Sequence, residues 1–257
     1  MASQPIYQFY AELSDYSPKI WRRFQVANNV TMARLGYILM TMFEMQASHL
    51  SCFDVPIDIN FREYMKGRCS EEEYDRLWGN KDVKLVKQES WRFEIIDEEA
   101  MDFPVEENVK LLEATQYKVK YALSHPGERM NFNYDYGDDW NVLLMLEDIT
   151  IDKELPGKEL PRVLEGKGYG IIEDCGGVLG LSELAEAFKK KKGKAYKEYC
   201  EWLGVDYLDL NMFDINDINF RLKKVPRIYS DIYEYRIPPT QQSIDLLERK
   251  CKKGDAT

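Results

Sequence analysis

Alternating side-chain character at the amino-terminal end limits what this chain can become. Ile6, Gln8, Tyr10 and Glu12 interleave with Tyr7, Phe9, Ala11 and Leu13, and a period of two is that of a half-buried strand. Turn formers follow in Ser14-Asp15-Tyr16-Ser17-Pro18, and strand character resumes over Ile20-Trp21-Arg22-Arg23-Phe24-Gln25-Val26, so the pair reads as a hairpin. Asn28 and Asn29 break the pattern, and Thr31 can accept the free amides of a helix start. Leu35, Ile38, Leu39, Met42 and Phe43 then share one helical face. A ββα opening of this kind, followed by further strands and helices, belongs to the α+β class.

Beyond the first helix, Leu50 to Val55 has strand character. Residues 58–110 mix charge with scattered aromatics and read as an irregular insertion. Leu111-Leu112 and Val119 to Leu123 frame another helix or strand. Met130 to Tyr136 alternates until Gly137 stops it, and Trp140 to Ile149 is its antiparallel partner. The density of proline and glycine across 151–170 marks a surface loop. Helices are expected after Ser182, over Tyr196 to Trp202 with a stop at Gly204, over Asp214 to Leu222, and at Gln241 to Lys252.

The chain has 257 residues, with 45 acidic against 35 basic side chains and a formal net charge of -10. That field disfavours nucleic acid unless a basic face is segregated; the run Lys189 to Lys192 suits a helix C-terminus without any ligand, and the stretch Lys189 to Lys194 is the better nucleic-acid candidate. The densest apolar run, Leu35 to Met45, is shorter than the roughly 20 residues a bilayer span needs. The amino terminus lacks the basic and apolar regions of a secretory signal. Five cysteines without a CxxC pair are expected as reduced thiols. Together these predict a cytoplasmic protein with no membrane association.

Four patterns in order carry a resemblance to a known family: Pro18-Lys19-Ile20-Trp21-Arg22-Arg23, Ser48-His49-Leu50 with Phe53, Tyr134-Asp135-Tyr136-Gly137-Asp138-Asp139-Trp140, and Glu173-Asp174-Cys175-Gly176-Gly177. With Trp202 and the Phe213-Asp214 to Asn219 segment they make the chain similar to pRiA4b ORF-like proteins, named from a plasmid reading frame and carried by mobile elements. The resemblance implies an α+β fold with a mixed sheet, a ubiquitin-like grasp at the ββα start and flanking helices, but no assigned activity. It covers about residues 5–223, so 1–223 is expected as the family domain with an insertion at about 58–110, and 224–257 as a C-terminal extension. Relatives place a cysteine before the Glu-Asp-Cys-Gly-Gly element; here Glu165 to Ile172 holds none.

The residues able to carry chemistry lie in those patterns. His49 near Cys52 suits a metal ligand or a nucleophile–base pair, against the ordinary alternative of a helix-terminal ring bonded to a carbonyl. Asp138 and Asp139 are adjacent carboxylates that could hold a divalent cation, or simply form a hairpin turn led out by Trp140. Gly176 and Gly177 leave Cys175 accessible, yet Glu173 and Asp174 beside it discourage a thiolate and favour a loop that docks on the sheet. By alternation Arg22 and Arg23 face opposite sides, with ordinary surface salt bridges expected. No reaction is disclosed. The leading expectation is a soluble binding or interaction protein of accessory genetic elements, with a protein partner. Its candidate surface is His49, Asp138, Asp139, Trp140, Glu173, Asp174 and Cys175. The alternative is a metal-binding module or metal-dependent enzyme with a divalent cation on His49, Asp138 and Asp174, drawing also on Asp139.

Overall fold

The computed structural model describes residues 4–79, 89–96 and 107–248. β1 (Ile6–Leu13) and β2 (Trp21–Ala27) form the expected hairpin, and α1 (Met32–Met42) follows with the Thr31 hydroxyl accepting from the Arg34 N–H. Next come β3 (Ser51–Pro56), α2 (Ile57–Met65), α3 (Glu71–Tyr74), β4 (Ser90–Glu94), β5 (Val109–Glu113) and α4 (Val119–Ala122). β6 (Arg129–Tyr134), β7 (Trp140–Thr150) and β8 (Arg162–Lys167) complete the strands. The closing helices are α5 (Gly177–Lys190), α6 (Lys194–Leu203), α7 (Ile215–Leu222), α8 (Val225–Tyr233) and α9 (Gln241–Leu247).

All eight strands lie in one mixed sheet of order β5-β4-β3-β6-β7-β1-β2-β8, antiparallel throughout except for the parallel β4–β5 pair. The inward set of β1 is the one its alternation marks: Tyr7, Phe9, Ala11 and Leu13 are buried. α1 lies across this face with Leu35, Ile38, Leu39 and Met42 fully buried in the same cluster as Phe53, Phe132 and Val142. Gly36 faces the Phe132 and Phe53 rings, which lie 3.4 and 3.6 Å from where a Cβ would stand. α7 and α8 pack against α1, and α8 buries Val225 and Tyr229 in the core, so residues just past 224 join the main packing.

Two irregular stretches turn out to be regular. Residues 162–167, expected within a surface loop, form β8 and pair with β2. Within 58–110 the described residues supply α2, β4 and β5, the two strands extending the sheet beyond β3; residues 80–88 and 97–106 lie outside the described set. Both strands are short and one-sided, and the periodicity of five or six residues is too brief to separate them from loops.

Arg22 is the larger correction. The two arginines do face opposite sides of β2, and Arg23 pairs at the surface with Glu147 and Glu165. Arg22, however, is fully buried and every guanidinium N–H is spent on a backbone carbonyl. Nε donates to Met42 (3.1 Å), Nη1 to Trp21 (2.8 Å) and Lys167 (2.7 Å), and Nη2 to Gly168 and Tyr169 (both 2.8 Å). The Phe213 and Phe43 rings flank it at 4.7 and 5.2 Å. Burial pulls its pKa down to about 10, so it stays charged at neutral pH. Replacing Arg22 by Met would orphan these carbonyls and is expected to cost about 3–5 kcal/mol in urea unfolding, with Lys, a three-donor point charge, recovering only part. An unchanged unfolding midpoint would sink this account.

Candidate functional site

Three segments remote in sequence meet at one end of the sheet. The Ile171 N–H donates to the Phe43 carbonyl (2.9 Å), bringing the stretch before α5 to the end of α1. The Asp135 N–H donates to the Leu50 carbonyl (2.9 Å), setting the β6–β7 turn beside the same stretch. The Gly176 N–H donates to Asp138 Oδ2 (3.2 Å) and closes the circuit. Gly177 makes that closure possible: its φ is +66°, and a Cβ would stand 2.5 Å from the Asp138 carbonyl oxygen.

At the centre Glu173 is buried, its side chain only 6% exposed. Its Oε1 accepts from the Tyr134 hydroxyl (2.7 Å) and the Gln46 N–H (2.6 Å), and its Oε2 more distantly from the Ser48 hydroxyl (3.4 Å). Burial and the adjacent Glu173 charge raise the pKa of Tyr134, which therefore stays a donor. His49 stands edge-on to Tyr134 and points Nε2 at three carboxylates: Glu173 at 3.3 Å, Asp135 at 3.6 Å and Asp174 at 3.8 Å. Among the described residues no lysine or arginine pairs with these three carboxylates. A cleft of about 840 Å³ opens beside His49 and Asp135, lined also by Tyr37, Tyr136, Tyr233 and Arg236 among others. A smaller cleft of about 320 Å³ lies on the other side of Glu173 and Asp174, against Trp202.

His49 and Asp174 therefore meet. Asp138 and Asp139 are committed elsewhere: Asp138 receives Gly176, and Asp139 accepts from the side-chain amides of Asn133 and Asn141. Asp135, at φ +59°, is the turn residue that faces the imidazole, while its Oδ1 accepts from the Gly137 N–H at 3.0 Å. Trp140 is fully buried at the start of β7, with Nε1 unpartnered. His49 does not cap a helix, since α1 ends at Met42, and it forms no pair with Cys52, whose thiol lies 3.9 Å from Asp54 Oδ2. Burial, with nearby Asp54, pushes the Cys52 thiol up to about 12. Burial, with Asp138 and Asp174, does the same to Cys175, whose Sγ lies 3.6 Å from the Gly177 carbonyl. The expectation that neighbouring acids suppress a Cys175 thiolate agrees with this direction. Among the described residues no three His, Cys, Asp or Glu side chains are arranged to hold a metal ion.

All four sequence patterns thus lie in the frame of one site, and the family model for plasmid pRiA4b ORF-3-like proteins matches residues 5–220. The chain belongs to that family. This pRiA4b ORF-3-like protein also shares its fold with the crystal structure of a protein of unknown function, MM3350 from Methanosarcina mazei Go1, at TM-score 0.61 and 23% identity. The likeness covers 84% of this chain and 98% of the other. No curated protein matches. No helix among the described residues is long and apolar enough to cross a membrane.

Sequence reasoning missed several residues of the site in this pRiA4b ORF-3-like protein. Asp135 and Tyr134 read as ordinary strand alternation, and Ser48 was a flanking letter of the His49 pattern. Tyr233 and Arg236 sit in a tail that carried no local signal; their place depends on α8 packing against α1.

Two outcomes are expected. Tyr134→Phe removes a donor from a buried carboxylate and should lower stability by about 1–3 kcal/mol in urea unfolding, whereas no change would mean that Glu173 is not held by it. A thiol raised in the fold stays protonated while the unfolded chain ionises above its ordinary value of 9.0, so folding stability should fall as pH rises from there towards 12. Buried tyrosines raised in the same direction add to the fall. Cys52→Ala should flatten the profile, and a profile identical to that of the unaltered protein would refute the thiol's part.

Proposed function

We propose that this protein is a binding protein that takes a basic segment of a partner protein into the cleft beside His49. One observation carries the reading: Asp135, Glu173 and Asp174 crowd a single imidazole at the edge of a cleft, and no lysine or arginine among the described residues offsets them. Clustered carboxylates on a protein of net charge -10 attract a cationic group and speed its approach. Tyr136 and Tyr233 supply the amphipathic walls usual in recognition clefts. Thiols at 52 and 175 that stay protonated near neutral pH favour binding over thiolate chemistry.

The basic run at the end of α5 lends little to a nucleic-acid reading, because Lys189 and Lys190 approach Glu186 and Lys194 approaches Glu198. An accessory-element setting fits the plasmid in the family's description, and a reducing cytoplasm fits the four free cysteines among the described residues.

A second reading, a divalent cation on His49, has one observation in its favour. The 3.3 Å between His49 Nε2 and Glu173 Oε2 is about the span of two ligands on one tetrahedral ion with bonds of about 2.0–2.1 Å. The other two carboxylates stand farther off, and their inward movement would be required.

Both readings meet one experiment. Peptides carrying lysine or arginine should bind the unaltered protein, weaken with added salt, and lose at least about tenfold in affinity to an Asp135→Asn, Asp174→Asn variant, a loss worth about 1.4 kcal/mol. Equal binding by charge-free peptides would overturn the first reading. Stoichiometric metal in native mass spectra of chelator-free protein, lost in His49→Ala, would establish the second.

A further inference from the structure

Where α1 and the residues after α8 line it, the cleft carries the opposite charge. Arg236, just past α8, lines the same cleft as His49 and Asp135, yet among the described residues its guanidinium has no ion-pair or hydrogen-bond partner. Its backbone is held at φ +55°, a conformation that a non-glycine residue adopts at a cost of about 1–3 kcal/mol. The Ile237 N–H donates to the Asp231 carbonyl (2.8 Å), closing the chain around Arg236 onto α8.

A second polar group on this wall lacks a partner. Tyr37 is 2% exposed and lines the cleft, and its hydroxyl is buried without a hydrogen bond. Such a group costs about 1–3 kcal/mol when left unsatisfied. The Tyr233 ring stacks on Tyr37 at 6.3 Å and forms the adjoining surface of the cleft. The cleft thus carries both signs: Asp135 beside the His49 imidazole, and an unpaired guanidinium with an unsatisfied hydroxyl, while Glu173 and Asp174 line the smaller cleft behind His49. A purely cationic occupant would leave Arg236 to solvent and would be repelled by it.

We infer that the occupant of the cleft is the carboxy-terminal segment of a partner chain, its terminal carboxylate received by Arg236 and a lysine or arginine a few residues upstream received at Asp135. This rests on the reading of the cleft as a site for a basic segment and adds which segment it is. A guanidinium fork matches a carboxylate in bidentate fashion, and capture of a chain terminus is an established way to recognise a peptide. A volume of about 840 Å³ lies towards the upper end of the roughly 300–1,000 Å³ typical of ligand clefts. That suits several residues of extended chain better than one free amino acid, which would leave most of the space to water.

The test uses fluorescein-labelled hexapeptides with lysine two, three or four residues before the end, each made as the free acid, as the amide, and with norleucine for lysine. Affinities for the full chain are read by anisotropy. The free acids should bind at least about tenfold tighter than the amides. Arg236→Ala, an exposed position whose folding is checked by circular dichroism, should bring the free acids down to the level of the amides and leave the amides unchanged. Free lysine as a competitor should displace the peptides only weakly. Equal affinity for acid and amide, or an Arg236→Ala loss shared by both, overturns the inference; lysine dependence that persists would leave the basic-segment reading standing. Norleucine peptides that bind as well as lysine peptides overturn that reading itself, as does the failure of every peptide to bind.

Discussion

One buried cation organises this molecule. The five N–H groups of Arg22 gather carbonyls from the end of α1, from its own strand and from three consecutive residues at the end of β8. Without that clasp the last strand would have no fixed exit, and the stretch leading to Glu173 would not be held beside Phe43. The site depends on it at one remove, since His49 leaves α1 on one side of the clasp and Glu173 leaves β8 on the other. An arginine serves where a lysine would not, because a planar fork can satisfy separated carbonyls at once. The exchange of water for carbonyl partners is tolerable only because none of the five donors is left over.

The site built on this frame is a balance of acids against few bases. Glu173 keeps its position through neutral donors, a hydroxyl, a backbone amide and a serine, and among the described residues no lysine or arginine pairs with it. That leaves the surrounding field negative. Fold likeness says nothing of what answers such a field, since one scaffold hosts many uses; the charges and the shape of the cleft are what select an occupant. On that ground Asp135 matters more than its neighbours Asp138 and Asp139, although all three lie in one turn.

The sequence makes legible what is periodic or capped. The β1–β2 hairpin, Thr31 at the start of α1, the end of α6 at Gly204 and the short helix before Lys223 follow from local chemistry and appear where that chemistry puts them. It conceals what depends on long-range partners. Arg22 looks like any strand arginine until β8 and α1 close around it. β8 is hidden among glycines and prolines because its strand character comes from pairing with β2. The meeting of His49 with Asp174 was a question of distance that no spacing could settle, and Arg236 became part of a cleft only through the packing of α8. The patterns that mark the family proved to be pieces of one assembly, where letter by letter they suggested a metal pair, a hairpin turn and a thiol.

The clasp around Arg22 also bears on how such a protein can diverge. It reads the main chain of Lys167, Gly168 and Tyr169, and so it places little demand on which side chains stand at 167 and 169. The glycines between and around them are held more tightly: a Cβ at 166, 168 or 170 would stand 2.7, 2.7 or 2.4 Å from Phe213, Ile20 or the Phe43 carbonyl, so the latitude is confined to 167 and 169. Because Tyr169 lines the smaller cleft with Glu173 and Asp174, exchange at that one position would alter the surroundings of the acids without rebuilding the sheet that supports them.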